Sequence, residues 1–188
     1  MRVFLSVLAL TLAIAILAFL QWTTPTYALL TGPLETRGDQ SATVSSETFD
    51  VKVNEVLLAK TLALSHFGRP VERDTEGIWV VVSAEMQSKW ETMQISSASI
   101  KGASGRIYAQ STRASGTKPL LTSKDLQPGL PAKGVLMFEM PEQEAHDMEL
   151  ILSRKLGPQL DSEIHVKLDA NAVDTKDRLE IRDDGVHA

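Results

Sequence analysis

From Val3 to Leu20 the chain carries no charge, only aliphatic residues and phenylalanine interrupted by Ser6 and Thr11. These 18 residues, rising about 1.5 Å each, span roughly 27 Å against the ~30 Å hydrocarbon thickness of a bilayer. The run therefore predicts a membrane-crossing helix. Past it the pattern changes. Pro25, Gly32, Pro33 and Gly38 fall among Ser and Thr with little apolar periodicity, which predicts a flexible tether. From Phe49 onward the period is two. Phe49, Val51 and Val53 alternate with Asp50, Lys52 and Asn54, as in a strand with one wet face. Glu55 breaks the alternation, as a β-bulge or a strand end would. His66–Pro70 and Asp74–Gly77 read as loop and turn.

The clearest strand follows. Ile78, Val80, Val82, Ala84 and Met86 share one face, with Trp79, Val81, Ser83, Glu85 and Gln87 on the other. Its first half is apolar on both faces, which places it centrally in a sheet with Trp79 partly covered. Residues 88–97 fit neither period. Ser99–Ser111 predicts a hairpin turning at Gly102-Ala103-Ser104-Gly105, and Thr112–Lys133 a long polar connection. Val135–Met140, stopped by Pro141, then Met148–Leu152 and Ile164–Leu168, repeat the alternation. The end of the chain is polar and rich in Asp, and predicts a frayed tail with a brief strand at Leu179–Ile181.

Short strands separated by turns, with no helix after the first, predict an all-β, antiparallel sandwich or barrel behind one transmembrane helix. The expected boundaries are 1–21 for the anchor, 22–46 for the tether, 47–169 for the sandwich and 170–188 for the polar tail. The apolar run exceeds the usual core of a cleavable signal, and Gln21-Trp22 and Tyr27 follow it, so retention as an anchor is favoured. Cleavage after Thr26-Tyr27-Ala28 is the competing reading. Arg2 precedes the run and no Lys or Arg follows it until Arg37. The positive-inside rule then keeps the N-terminus cytoplasmic and sends the sandwich outside.

Charge and composition narrow the function. Net charge is -5, and the residues after the apolar run hold 18 of the 19 basic residues against 24 acidic ones. An acidic surface argues against nucleic acid and against a polybasic lipid contact. The absence of cysteine removes disulfides, thiolate nucleophiles and zinc ribbons together.

Each candidate for chemistry meets a bland alternative. Gly102-Ala103-Ser104-Gly105-Arg106 resembles a nucleophile elbow but ends in Arg106 and has no helix behind it. Ser115-Gly116-Thr117-Lys118 has the Ser-x-x-Lys spacing of penicillin-recognising enzymes, yet sits in a loop where that motif must open a helix. His66, His146, His165 and His187 show no metal-site spacing, and His165 alternates outward between Glu163 and Lys167 as a solvated strand residue. Glu142, Glu144, His146, Asp147 and Glu149 form a local acidic group in which a weak cation site competes with a solvated loop. Trp79, Trp90 and Tyr108 suit core packing better than a binding platform. Arg37-Gly38-Asp39 matches an adhesion tripeptide, but three residues recur by chance and a polar turn explains them. No catalytic residue, cofactor or metal is expected.

Val51-Lys52-Val53, Gly77–Val82, Gly105-Arg106-Ile107-Tyr108 and above all Leu126–Pro141 follow an order found elsewhere. A lengthy loop closes with Pro128-Gly129, and an apolar strand then ends in Phe138-Glu139-Met140-Pro141. Residues 47–153 thereby resemble bacterial extracellular domains of the telokin-like, immunoprotective-antigen type. The resemblance implies an immunoglobulin-like sandwich with an exported, non-enzymatic role, and supplies no site residues. Commoner members carry a lipobox cysteine, which this chain lacks, so anchoring falls to the apolar helix. The function expected is a non-catalytic protein-interaction module of the bacterial cell envelope. It would hold the membrane through residues 3–20 and bind an envelope protein. The alternatives are an accessory subunit of a membrane transport or secretion complex, and a secreted antigen-like protein after signal cleavage.

Overall fold

A computed structural model describes residues 2–24, 30–66, 69–117, 120–169, 173–182 and 185–187. It divides into two units, Met1–Gly32 and Pro33–Ala188. The first is built on α1 (Arg2–Thr23), which is long and apolar enough to cross a bilayer. None of its side chains is buried. The hydroxyls of Ser6, Thr11 and Thr23 donate back to the carbonyls of Arg2, Val7 and Phe19 at 3.1, 3.2 and 3.0 Å. These three hydroxyls are thus satisfied within the helix, as a segment surrounded by hydrocarbon requires.

Among the described residues the second unit has eleven strands: β1 (Leu34–Asp39), β2 (Val44–Ser45), β3 (Phe49–His66), β4 (Arg69–Ser88), β5 (Ser97–Lys101), β6 (Ile107–Ala109), β7 (Ala132–Met140), β8 (Glu149–Ser153), β9 (Ser162–Lys167), β10 (Val173–Arg182) and β11 (Gly185–His187). They make two sheets. One runs β1-β9-β8-β5-β6, and the other β11-β10-β3-β4-β7 with β2 on the start of β3. Most neighbours are antiparallel, while β1 joins β9 and β10 joins β3 in parallel. The expected β-sandwich behind one apolar helix is the fold observed.

The inner faces of the two sheets form the main core. Val51, Val80, Phe138, Ile100, Leu152 and Ile164 are among its buried members. The break at Glu55 is a bulge: the β3–β4 register shifts between Val53 and Glu55. The extra residue reverses parity, so Val56 and Leu58 continue the inward row begun by Val51 and Val53.

Four expectations are corrected. Asp74–Gly77 is no turn but a wide bulge within β4, because Thr61 faces Asp74 while Ala59 faces Trp79. A Cβ on Gly77 would lie 2.2 Å from the Met140 carbonyl oxygen, so the bulge needs glycine there. Strand pairing also extends to His66 and Arg69, leaving only Phe67-Gly68 of the expected loop outside the described residues. The supposed tether supplies β1 and β2, and the supposed tail supplies β10 and β11.

The fourth correction concerns the polar connection and Trp79. Ala114, Leu120, Leu121 and Leu126 are buried within 112–133. Ala114 and Leu120 lie in a second apolar cluster with Leu57, Trp79, Val81 and Met137, on the outward face of the β3–β4–β7 sheet. Leu179 and Ile181 of β10 extend that cluster beside Leu62 and Leu64. Trp79 is fully buried, and its Nε1 donates to the Arg73 carbonyl at 3.0 Å.

Candidate functional site

The outward face of the other sheet is ionic. On β1 Glu35 and Arg37, and on β9 Glu163 and His165, are spaced two apart and so share that face. The parallel register sets Glu35 opposite Glu163 and Arg37 opposite His165. Glu149 from β8 and Lys101 from β5, paired across the sheet, complete the group.

Arg37 holds two carboxylates, with Nη2 2.7 Å from Glu35 Oε2 and Nη1 2.7 Å from Glu149 Oε1. Lys101 Nζ lies 3.4 Å from Glu149 Oε2. The His165 ring is sandwiched, with Nε2 3.0 Å from Glu163 Oε1 and Nδ1 3.3 Å from Glu149 Oε1. Its side chain is only 7% exposed, which corrects the expectation of a solvated strand histidine. The cause is its neighbours on that face, Arg37 of β1 on one side and Ile151 of β8 on the other, with Glu163 and Glu149 against its two ring nitrogens. The hydrogen bond from Arg37 holds the Glu35 carboxyl below the usual carboxylate range, and the same bond raises Arg37.

Ligand atoms of Glu35, Glu163 and His165 lie within 4.8 Å of one another, a spacing that could hold a metal ion. Such an ion would share Glu35 with the Arg37 guanidinium, and the two positive charges would repel. As it stands the arrangement is an ion-pair lattice that pins β1 onto β9 and β8. The larger clefts open elsewhere. One of about 830 Å³ is bounded by Asp39, Lys52, Asp147, Lys167 and Asp169. Another of about 850 Å³ lies between the β4 bulge and the loop after β7. Arg113, Glu139 and Glu142 on its wall are each engaged in an ion pair. Arg113 meets Glu139 at 2.7 Å and stacks over Trp79 at 5.4 Å, while Lys60 meets Glu142 at 2.7 Å.

The other candidates are scattered. The Ser104 hydroxyl donates to Glu144 Oε2 at 2.9 Å in the β5–β6 turn. Hydrogen bonds from the Ser104 amide and hydroxyl lower the Glu144 carboxyl from its ordinary value. Ser115 follows a 3-10 turn, and Lys118 lies outside the described residues. The acidic group after Pro141 is dispersed: Glu142 goes to Lys60, Glu144 to Ser104, Glu149 to Arg37, and Asp147 to the first cleft. His146 lines a small cavity beside Leu168, His187 is exposed on β11, and the side chain of His66 lies outside the description. Trp79, Trp90 and Tyr108 make no platform, since Trp79 is buried in the second cluster, Trp90 is exposed before β5, and Tyr108 packs against the main core. The adhesion tripeptide lies in β1, with Arg37 bound to its two carboxylates. Sequence reading missed the joint role of Glu35, Arg37 and Glu163. The signal was present as two pairs at strand spacing, but not the register that brings them together.

No family model and no curated protein matches the sequence. Solved structures do. The yjhA protein from Bacillus subtilis is similar at 17% identity and a TM-score of 0.50, over 70% of this chain and 99% of that one. An uncharacterized β-sandwich protein from Clostridium difficile 630 aligns at 10% identity with a TM-score of 0.46, over 77% of this chain and 99% of that one. MPT63, a secreted protein from Mycobacterium tuberculosis, aligns at 12% identity with a TM-score of 0.48, over 72% and 97%. The likeness to the Bacillus subtilis structure is one of fold: this chain shares its architecture.

Proposed function

We propose that this chain is a membrane-tethered, extracytoplasmic β-sandwich of the telokin-like, immunoprotective-antigen type that serves as a non-catalytic interaction module of the cell envelope. One observation carries the reading. A 22-residue helix that buries none of its apolar side chains is joined to a sandwich whose buried ionisable groups are consumed by pairing with one another. A side chain kept for acid–base or nucleophilic work needs a free lone pair or proton facing an accessible cavity. Here Ser104 and Glu144 hold one another and His165 Nε2 is taken by Glu163, while His165 Nδ1, which makes no hydrogen bond, faces the Glu149 carboxylate at 3.3 Å. Arg2 at the start of the helix, with no further Lys or Arg until Arg37, supports the outward orientation.

The test is affinity capture of the full chain from membranes, beside a variant whose residues 3–20 are replaced by an unrelated apolar helix. One stoichiometric partner recovered with both supports a module acting through the sandwich. Recovery with the native helix alone would instead make the chain an accessory subunit that packs through α1.

A further inference from the structure

Among the described residues of Pro33–Ala188, six large apolar side chains are exposed: Leu34, Trp90, Ile107, Leu130, Leu156 and Leu160. Strand register shows that five of them occupy one end of the sandwich. Leu34 opens β1 and pairs with Ser162, the first residue of β9. Leu156 and Leu160 lie in the loop between β8 and β9, which Ser153 and Glu163 close at the same end. Trp90 follows β4, whose last residue, Ser88, pairs with Phe49 at the start of β3. Leu130 precedes β7, which begins opposite Met86, and Ser88 also bridges Pro128. The ion pair of Arg154 with Glu91 at 2.6 Å ties the β8–β9 loop of one sheet to the β4–β5 loop of the other. Only Ile107 lies elsewhere, opposite Lys101 at the far end of β5.

That end is also where the chain from α1 enters the sandwich. Ten residues separate Thr23 from Leu34, so their covalent reach is at most about 40 Å. We infer that this end is a membrane-contacting face, with Trp90, Leu130, Leu156, Leu160 and Leu34 seated in the interfacial layer of the bilayer that holds α1. The inference rests on the reading of α1 as a retained anchor. Two features suit that occupant over a protein partner. Trp90 is 76% exposed while its Nε1 already donates to the Glu47 carbonyl at 2.9 Å, so a satisfied indole presents its ring outward. Tryptophan favours the headgroup level for this amphipathic character. Three acidic side chains at this end are moreover ion-paired, Glu91 with Arg154, Asp161 with Lys155 and Asp50 with Lys89, which lowers the negative charge it brings to a lipid surface.

The experiment uses the full chain carrying Trp22→Phe, reconstituted into vesicles containing lipids brominated near the headgroup. Trp79 is buried in the sandwich and serves as the unquenched baseline. Expected is a loss of emission that disappears when Trp90→Phe is added, and that falls when Leu156→Glu and Leu160→Glu are introduced instead. Carbonate extraction of the same vesicles reports α1 separately. Full emission with the chain still carbonate-resistant overturns the inference and leaves the anchor standing. Full emission with the chain released overturns both. Disulfide dimers of a Leu156→Cys variant, formed without quenching, would assign the end to a second copy and also overturn the inference.

Discussion

The two sheets of the sandwich treat their outward faces in opposite ways. The β3–β4–β7 sheet covers its back with chain, and Trp79, Val81 and Met137 form a second apolar layer with Ala114 and Leu120 of the connection before β7 and with Leu179 and Ile181 of the adjoining β10. The β1–β9–β8 sheet fills its back with ionisable side chains, and His165 is as buried there as many core residues, between Glu149 and Glu163. Apolar burial stabilises in proportion to area and needs no partner geometry. An ion-pair lattice stabilises little beyond its own desolvation, but it punishes the loss of any one member and fixes which strands adjoin. One back is therefore cohesive and the other selective.

Breaking the apolar back should have the largest effect. Trp79→Ala removes the fully buried side chain at its centre, and should cost about 3–5 kcal/mol in urea unfolding of the detergent-solubilised chain. Faster amide exchange over 111–117 and β10 should accompany the loss, because Ala114 of the first and Leu179 and Ile181 of the second belong to the same apolar cluster. His165→Ala comes next. It leaves Glu163, 14% exposed, without its imidazole partner, while Glu149 keeps Arg37 and Lys101, at a cost of roughly 2–3 kcal/mol. Leucine at positions 149, 163 and 165 together should restore most of that stability, since the lattice contributes selectivity more than cohesion. Failure of the triple variant to recover would show the opposite.

Arg113→Ala removes an ion pair and a cation–π contact from the edge of the apolar back, and should cost only ~1 kcal/mol. The smallest effect is read by pH. Glu35 has a folded-state pKa below its unfolded value because Arg37 donates to it. Its contribution is therefore complete above the unfolded value of about 4.3 and is lost as pH falls through the depressed folded value. Glu35→Gln should flatten the fall in urea midpoint over that acid range and leave the midpoint at neutral pH little changed.

The same contrast explains what could be read from residues alone. Period-two alternation located the inner face of the sandwich, including the parity reversal that follows Asn54, because water on one side and core on the other force that pattern. Trp79 was visible as a second apolar face, but its cover was not. Ala114 and Leu120 stand among polar residues and prolines, and mark no element on their own. β1 and most of β10 gave no signal for a related reason, since edge strands bury little and Leu34–Asp39 holds one large apolar residue. His165 shows the remaining gap. Alternation correctly turned it away from the main core, but outward is dry here because Arg37, Ile151 and two carboxylates crowd the ring from the adjoining strands.

The reading of an anchored domain outside the cytoplasm can be measured directly because the chain has no cysteine. A single Ser41→Cys, exposed in the turn after β1, should react with a membrane-impermeant maleimide in intact cells and remain in the carbonate-resistant membrane fraction. Labelling that requires permeabilised cells, or labelled protein released into the medium without residues 1–28, would contradict it.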